Sequence, residues 1–482
     1  MADFITMAQY EDQESGWLRR AVRQVGSVTT LLPIMAVVFI AYLVIGLAMP
    51  VLPVHVHHGL GLSTFVVGLV AGSQFAASLI SRMWAGHHAD RRGAKRAVVA
   101  GLLAAAVAGL LYLLSLRFVD TPVISVTILL LGRALLGGAE SFIVAGALNW
   151  GLALAGPQNT GKVMARVGTA MYVAYAVGAP AGTALYAAGT ALYAAYGFAA
   201  IALATTLIPL VTLLLVAPLR SVAPMAHARP AFTRVVGAVW VPGLGLALSC
   251  VGFGAITTFI VLLFAQHGWG QAWLALTVLS IAFTVGRTVF GHLPDRIGGA
   301  VVALVCVLIE AAGQALIWLA PWSTLAFVGA AFTGFGYSLV YPGFGVETVR
   351  RAPPQSRGLI MGAYTACLDL ALGLASPALG LIAGAAGLSA VFLASTLVVL
   401  CASAIAMRLL YASPRLKRRG STQFADGEHG ASALSPPTDL TDGRSRNETS
   451  CCNDRIALSD CFIIGSSGPD KGRAKLEADA NA

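Results

Sequence analysis

The sequence predicts an all-α membrane protein: twelve transmembrane helices arranged as two pseudo-symmetric six-helix halves. Three observations lead there. Hydrophobic residues make up 57% of the 482 residues and charged ones only 11%. Twelve apolar runs are separated by loops whose cations alternate from side to side. A set of residues in the first half recurs in register in the second.

A soluble domain carries about 25% charged residues, so a chain this poor in charge cannot cover its surface for water. Mean hydropathy of +0.79 agrees. The 53 glycines suit close helix contact in a bilayer, where small residues let backbones approach. The net charge of +10 reads as membrane topology, and no nucleic-acid partner is expected. Residues 1–30 are polar, contain Arg19, Arg20 and Arg23, and lack the pattern of a cleavable signal peptide. Cys250, Cys306, Cys367 and Cys401 lie in apolar runs as packing residues, and the tail cysteines have no zinc-like spacing.

A spanning helix needs roughly 20 mostly apolar residues. Such runs fall at 31–53, 64–85, 97–116, 122–148, 164–188, 197–217, 236–264, 272–290, 299–320, 323–345, 358–385 and 388–411. One set of alternate loops holds Arg91, Arg92, Lys95 and Arg96, then Lys162, then Arg220, Arg229 and Arg234, then Arg296, then Arg350, Arg351 and Arg357. Both chain ends carry cations of the same set, whereas the opposite loops hold essentially one, Arg117. Positive residues stay cytoplasmic, which puts both termini inside the cell, in the inner membrane. The expected organisation is a cytoplasmic segment at 1–30, a six-helix half at 31–217, a cytoplasmic central loop at 218–235, a second six-helix half at 236–411, and a disordered cytoplasmic tail at 412–482, where Ser, Asp, Gly, Thr and Asn replace the apolar runs.

Two segments share the pattern G-x-x-x-D-R-x-G. One runs from Gly86 through Asp90, Arg91 and Gly93, the other from Gly291 through Asp295, Arg296 and Gly298. Arg82 and Arg287 each stand eight residues ahead of the aspartate. A second correspondence holds at a constant offset of 197: Gly137, Ser141, Gly146, Pro157, Gln158, Gly161, Met164 and Pro180 match Gly334, Ser338, Gly343, Pro354, Gln355, Gly358, Met361 and Pro377. Repeats in the same orientation imply halves related by an axis along the membrane normal, with a site near the midplane between them.

With these motifs the chain resembles the major facilitator superfamily over about residues 30–411. Gly86 to Lys95 is similar to the family's loop signature between helices two and three, with Ala94 where an arginine is usual. Arg133 in Gly132–Ala139 resembles its second motif, and Gly178-Ala179-Pro180-Ala181-Gly182 is a degenerate antiporter motif. The segment from Gly343 through Arg351, Pro353 and Asp369 looks most like bacterial arabinose-efflux-like and drug-efflux permeases. The resemblance implies gating roles for Gly86, Asp90, Arg91, Gly93 and Lys95, and for Gly291, Asp295 and Arg296 in the second copy. The aspartates, near helix ends, are placed to cap free N–H groups or pair with arginines.

Ionisable groups inside a membrane are costly and face a cavity or a partner. Four lie deep in the runs: Arg133, Glu140, Glu310 and Asp369. Arg133 and Glu140 are seven apart, nearly two helical turns, so they share a face about 10 Å apart along the axis. They form a candidate polar patch, or else Arg133 locks helices through backbone carbonyls. Asp369, whose repeat partner is Tyr172, is a candidate proton-coupling or substrate-binding residue, the alternative being a structural pair with an arginine. Glu310 falls on a peripheral helix of the resembled fold, which suits a structural role. His55, His57 and His58 read as a solvated loop more than as a metal site. Tyr42, Gln74, Tyr172, Tyr175, Thr257, Thr258 and Tyr337 are candidates for a cavity lining.

No Walker, dinucleotide-binding, metalloprotease or nucleophile-elbow motif is present. No catalytic residue, metal or cofactor is therefore expected. The expected activity is secondary transport of a small organic solute by alternating access, with proton antiport driving efflux. Proton-coupled uptake is the nearest alternative, and a lipid scramblase or a transporter-derived sensor the alternatives of other classes. The expected partners are the solute, protons and the lipid bilayer, with the chain a monomer.

Overall fold

A computed structural model describes residues 31–156, 160–192, 196–222, 232–351 and 357–412. The expected N-terminal segment, the tail beyond residue 412, and the repeat positions Pro157, Gln158, Pro354 and Gln355 lie outside them. Twelve long helices follow in order: α1 (31–48), α2 (Thr64–Arg92), α3 (Ala94–Ser115), α4 (Pro122–Ala155), α5 (Thr160–Leu192), α6 (Tyr196–Val216), α7 (Phe232–Gln266), α8 (Ala272–Phe290), α9 (Gly299–Trp318), α10 (Ser323–Arg350), α11 (Arg357–Ala386) and α12 (Leu388–Tyr411). No strand occurs among the described residues. In lipid every backbone polar group must be satisfied within its own segment, which a helix does. Eleven of the helices are long and apolar enough to cross a bilayer. The twelfth, α5, is 33 residues long, but its Gly, Thr and Tyr residues dilute its hydropathy.

The helices overrun the apolar runs where polar residues sit on them. The apolar run at 64–85 becomes a helix that continues to Arg92, so the loop signature begins on the last turns of α2. Gly93 closes it with φ +97° and Gly298 closes the short helix Leu293–Ile297 with φ +108°. Both backbones occupy a region that L side chains avoid, which explains why the pattern ends in glycine in both copies.

The repeat is three-dimensional. Gly137 on α4 lies against the backbone of Gln74 on α2, and Gly334 on α10 lies against the backbone of Leu279 on α8. Gly146 touches Ala94 as Gly343 touches Gly299. Gly101 on α3 meets Ala139 on α4, and their counterparts Cys306 and Gly336 meet in the second half. α4 and α10 keep the offset of 197 found in the sequence, while α2–α3 and α8–α9 are shifted by 205. Each contact leaves no room for a Cβ on the glycine, so helix spacing in both halves is set by the same small residues.

The halves join along two helix pairs. On α2, Gly68 and Gly72 receive Ser376, Pro377 and Gly373 of α11, and Gly380 receives Thr64. The Thr64 hydroxyl donates to the Gly380 carbonyl at 2.9 Å. The pseudo-symmetric pair is α5 with α8, where the Thr277 hydroxyl donates to the Ala176 carbonyl at 3.3 Å.

Candidate functional site

Along the α2–α11 seam a charge pair crosses from one half to the other. The Arg82 guanidinium binds Asp369 Oδ2 through Nε at 2.8 Å and through Nη2. The Ser78 hydroxyl lies 3.5 Å from the same oxygen and 2.9 Å from the Ser141 hydroxyl. Asp369 is 3% exposed, so its charge is held by this one arginine. Arg82 was not among the deep ionisable residues expected from the sequence. Ending the second apolar run at residue 85 left Arg82 near a helix end, whereas α2 continues to Arg92. The available signal was its recurrence as Arg287.

The second half does not reproduce the pair. Arg287 donates to the Ser338 carbonyl at 3.3 Å and lies 5.9 Å from the centre of the Tyr341 ring. The repeat position of Asp369 holds Tyr172, which stacks on Phe283 at 3.3 Å. From Tyr172 an aromatic chain runs to Tyr175, 5.7 Å away, and on to Tyr42 at 5.5 Å. In the other direction Phe253 lies 6.1 Å from Tyr172 and 5.2 Å from Tyr337.

Glu140 ends this chain. Tyr42 donates its hydroxyl proton to Glu140 Oε1 at 2.6 Å, and Gln74 donates through Nε2 to Oε2 at 2.8 Å. Both carboxylate oxygens are thus satisfied by donors from α1 and α2. Arg133 shares α4 with Glu140, but the two form no ion pair among the described residues. Arg133 is 6% exposed, and its Nε has no hydrogen-bond partner. It lines a pocket enclosed by α1, α2, α4 and α7, with about 490 Å³ of space between atoms including the part open to solvent. Gln74, Thr257 and Thr258 line it too. Of the seven expected lining residues, these three reach the pocket, and the four tyrosines form the aromatic chain beside it.

The loop signature makes contacts to other helices of the first half. Asp90 stands on the last turns of α2, where no free N–H group is presented. It accepts from Asn149 Nδ2 of α4 at 2.9 Å. The counterpart of Asn149 is Val346, which has no donor to offer Asp295; Asp295 lies in the first turn of the short helix ahead of α9. Lys95 Nζ donates to the carbonyls of Ala217 and Leu219, both at 2.7 Å, and so ties the start of α3 to the end of α6. Its counterpart is Ala300. Gly86 lies within α2 and Gly291 in the turn that follows α8, and Arg91 and Arg296 are exposed.

Glu310 is fully buried between α7 and α9. The Ser249 hydroxyl donates to its Oε2, and Oε1 lies beside Gly252 without a partner. The histidines separate: His55 is buried and stacks on Phe198 at 4.0 Å, whereas His57 and His58 meet edge to face at 5.0 Å. Cys250 and Cys306 are buried packing residues as expected, but Cys401 is exposed on α12.

Comparison with known proteins agrees with this architecture. A profile described as Major Facilitator Superfamily matches residues 34–301 and 271–442. An uncharacterised MFS-type transporter of Salmonella typhimurium is 40% identical over 390 residues, covering 81% of this chain and 99% of that one. A similar protein of Burkholderia pseudomallei is 40% identical over 396 residues, covering 81% and 95%. Among solved structures, a bacterial homologue of the human lysosomal transporter Spinster, inward-facing and occupied, superposes with a TM-score of 0.61 at 15% identity, covering 80% of this chain and 97% of that one. The nucleoside transporter NupG superposes with a TM-score of 0.61 at 14% identity, covering 80% and 100%.

Proposed function

The chain belongs to the major facilitator superfamily, and from that premise we propose that this multi-pass membrane transporter exports a small organic solute in exchange for protons by alternating access. The Arg82–Asp369 pair carries the reading, because it spans the seam that must open. A half-to-half ion pair favours the conformation in which its members meet. A proton on Asp369 removes the charge that Arg82 holds and weakens that preference. A ligand shifts a conformational equilibrium only through its differential affinity for the two states, and a proton on Asp369 has such a difference. Glu140, bound by Tyr42 and Gln74, is the second candidate for proton or solute exchange, and Arg133 beside it faces the pocket.

The loop signature supports the same cycle from the cytoplasmic side of the inner membrane, where both termini lie in this reading. Asp90 with Asn149, and Lys95 with the end of α6, tie helices of the first half into one body that moves together. Gly86, Arg91 and Gly93 shape that corner, and Gly291, Asp295 and Arg296 do so in the second half. The degenerate antiporter motif favours export: Gly178 and Gly182 seat α5 on the backbone of α1 at Gly46 and Leu47. The chain acts as a monomer in this reading.

Purified protein in proteoliposomes tests the proposal. An imposed proton gradient should drive solute against the direction of proton flow, and Asp369→Asn should remove the dependence on the gradient. Solute moving with the protons would replace export by uptake symport, and undiminished pH-dependent transport in Asp369→Asn would exclude Asp369 as the coupling group.

A further inference from the structure

Arg133 is the buried cation that the proposed cycle leaves without a counter-charge. A guanidinium stays protonated, and a charge out of water requires a partner. The nearest acid on its own helix, Glu140, already accepts from Tyr42 and Gln74. Arg133 enters no ion pair among the described residues, and its Nε is unbonded.

The pocket that Arg133 lines supplies the rest of a recognition pattern. Its α1 and α2 walls are apolar, with Ile45, Ala48, Val67 and Val70 among them. Gln74 is fully buried. Its Nε2 is engaged by Glu140, and its Oε1 is an acceptor without a donor. Thr257, across the pocket on α7, donates its hydroxyl proton to the Phe253 carbonyl at 2.9 Å, so that its oxygen also remains an acceptor. The site thus offers one cation, two acceptors and an apolar surround, contributed by both halves.

We propose that this pocket binds a compact organic anion, a carboxylate or sulfonate on an apolar body that also carries a hydroxyl or N–H group. The oxyanion pairs with Arg133, the donor meets Gln74 Oε1 or Thr257 Oγ1, and the apolar body fills the space against α1 and α2. Calling this occupant the transported solute rests on the transporter reading; the binding chemistry does not.

Equilibrium binding to the full chain in non-ionic detergent tests it, with 6-hydroxy-2-naphthoate, its neutral methyl ester, and 6-methoxy-2-naphthoate as probes. The hydroxy acid should bind about tenfold more tightly than the ester, as a charge-assisted contact requires, and the methoxy acid should fall between them. Arg133→Gln should erase the difference between acid and ester. Ala71→Phe, which fills the pocket without touching a charge, should weaken the hydroxy acid at least about tenfold and keeps the test open if Arg133→Gln does not fold. Equal binding of acid and ester, no binding of the acid at millimolar concentration, or acid binding unchanged in Ala71→Phe would overturn the proposal. Because detergent binding needs no gradient, intact binding with no coupled transport sinks the antiport reading alone.

Discussion

Arg82 on α2 and Asp369 on α11 are 287 residues apart in sequence and share a bidentate contact to a single carboxylate oxygen, across the seam between the two halves. Asp369 is almost wholly buried, while the Arg82 side chain keeps 27% of its exposure. Removing one member leaves the other charge uncompensated. For a fully buried pair that costs roughly 3–5 kcal/mol; the partial exposure of Arg82 lowers the expectation to about 2 kcal/mol. Asp369→Ala and Arg82→Ala should each lower the thermal midpoint in detergent, and the double variant should be more stable than the sum of the two losses. Strict additivity in this double-mutant cycle would show that the two side chains are not coupled.

Glu140 provides a separate test of how the polar interior is held. Tyr42→Phe and Gln74→Leu each take one donor from its carboxylate, at a cost of about 1–3 kcal/mol for an unsatisfied buried acceptor. Glu140 is half-buried, so the low end is expected. The two variants should raise the proton dependence of transport in the same direction, because both change the environment of one group. Opposite pH profiles would dissociate Glu140 from the coupling.

Much of this architecture is legible in the sequence. The glycines at offset 197 recur because each half must bring two backbones together at the same places, and a Cβ is excluded at Gly137 and Gly334 alike. Asp369, Glu140 and Arg133 stood out because charge is expensive in a bilayer. Their partners did not stand out. Arg82 was hidden by a helix that outlasts its apolar run, since hydropathy ends where polar residues begin, whether or not the helix does. The pairing of Asp90 with Asn149 joins residues 59 apart through the packing of α2 on α4, which no local pattern encodes. Arg133 and Glu140 share α4, but Glu140 is bound by Tyr42 and Gln74 of other helices while Arg133 lines the pocket.

The motif glycines should divide sharply by position. Gly93→Ala forces φ +97° on an L residue, and the same holds at Gly298, at a cost of about 1–2 kcal/mol each. Gly137→Ala and Gly334→Ala push a Cβ into a facing backbone, which overpacking penalises by roughly 1–3 kcal/mol. Gly86→Ala meets nothing within 4 Å and should leave stability unchanged. Thermal denaturation of the five variants separates these classes, and a destabilised Gly86→Ala would place an undetected contact at that corner.

The membrane topology depends on α5, which is long enough to span but is diluted by small and polar residues. Every span reverses the side on which the next loop emerges. In a cysteine-free background, Asp120→Cys lies in the exposed turn between α3 and α4, ahead of α5, and Gly270→Cys in the exposed turn between α7 and α8, beyond it, where a new side chain meets open space. If α5 spans, both positions emerge on the outer side and react with an impermeant maleimide in intact cells. Arg92→Cys and Arg296→Cys, exposed in the two copies of the motif, should then react only after permeabilisation. If α5 lies within one leaflet, parity reverses after it: Asp120→Cys remains outside while Gly270→Cys moves inside and Arg296→Cys moves out. That outcome would break the same-orientation repeat, and with it the pseudo-symmetry that sets Arg82 and Arg287 in matching positions.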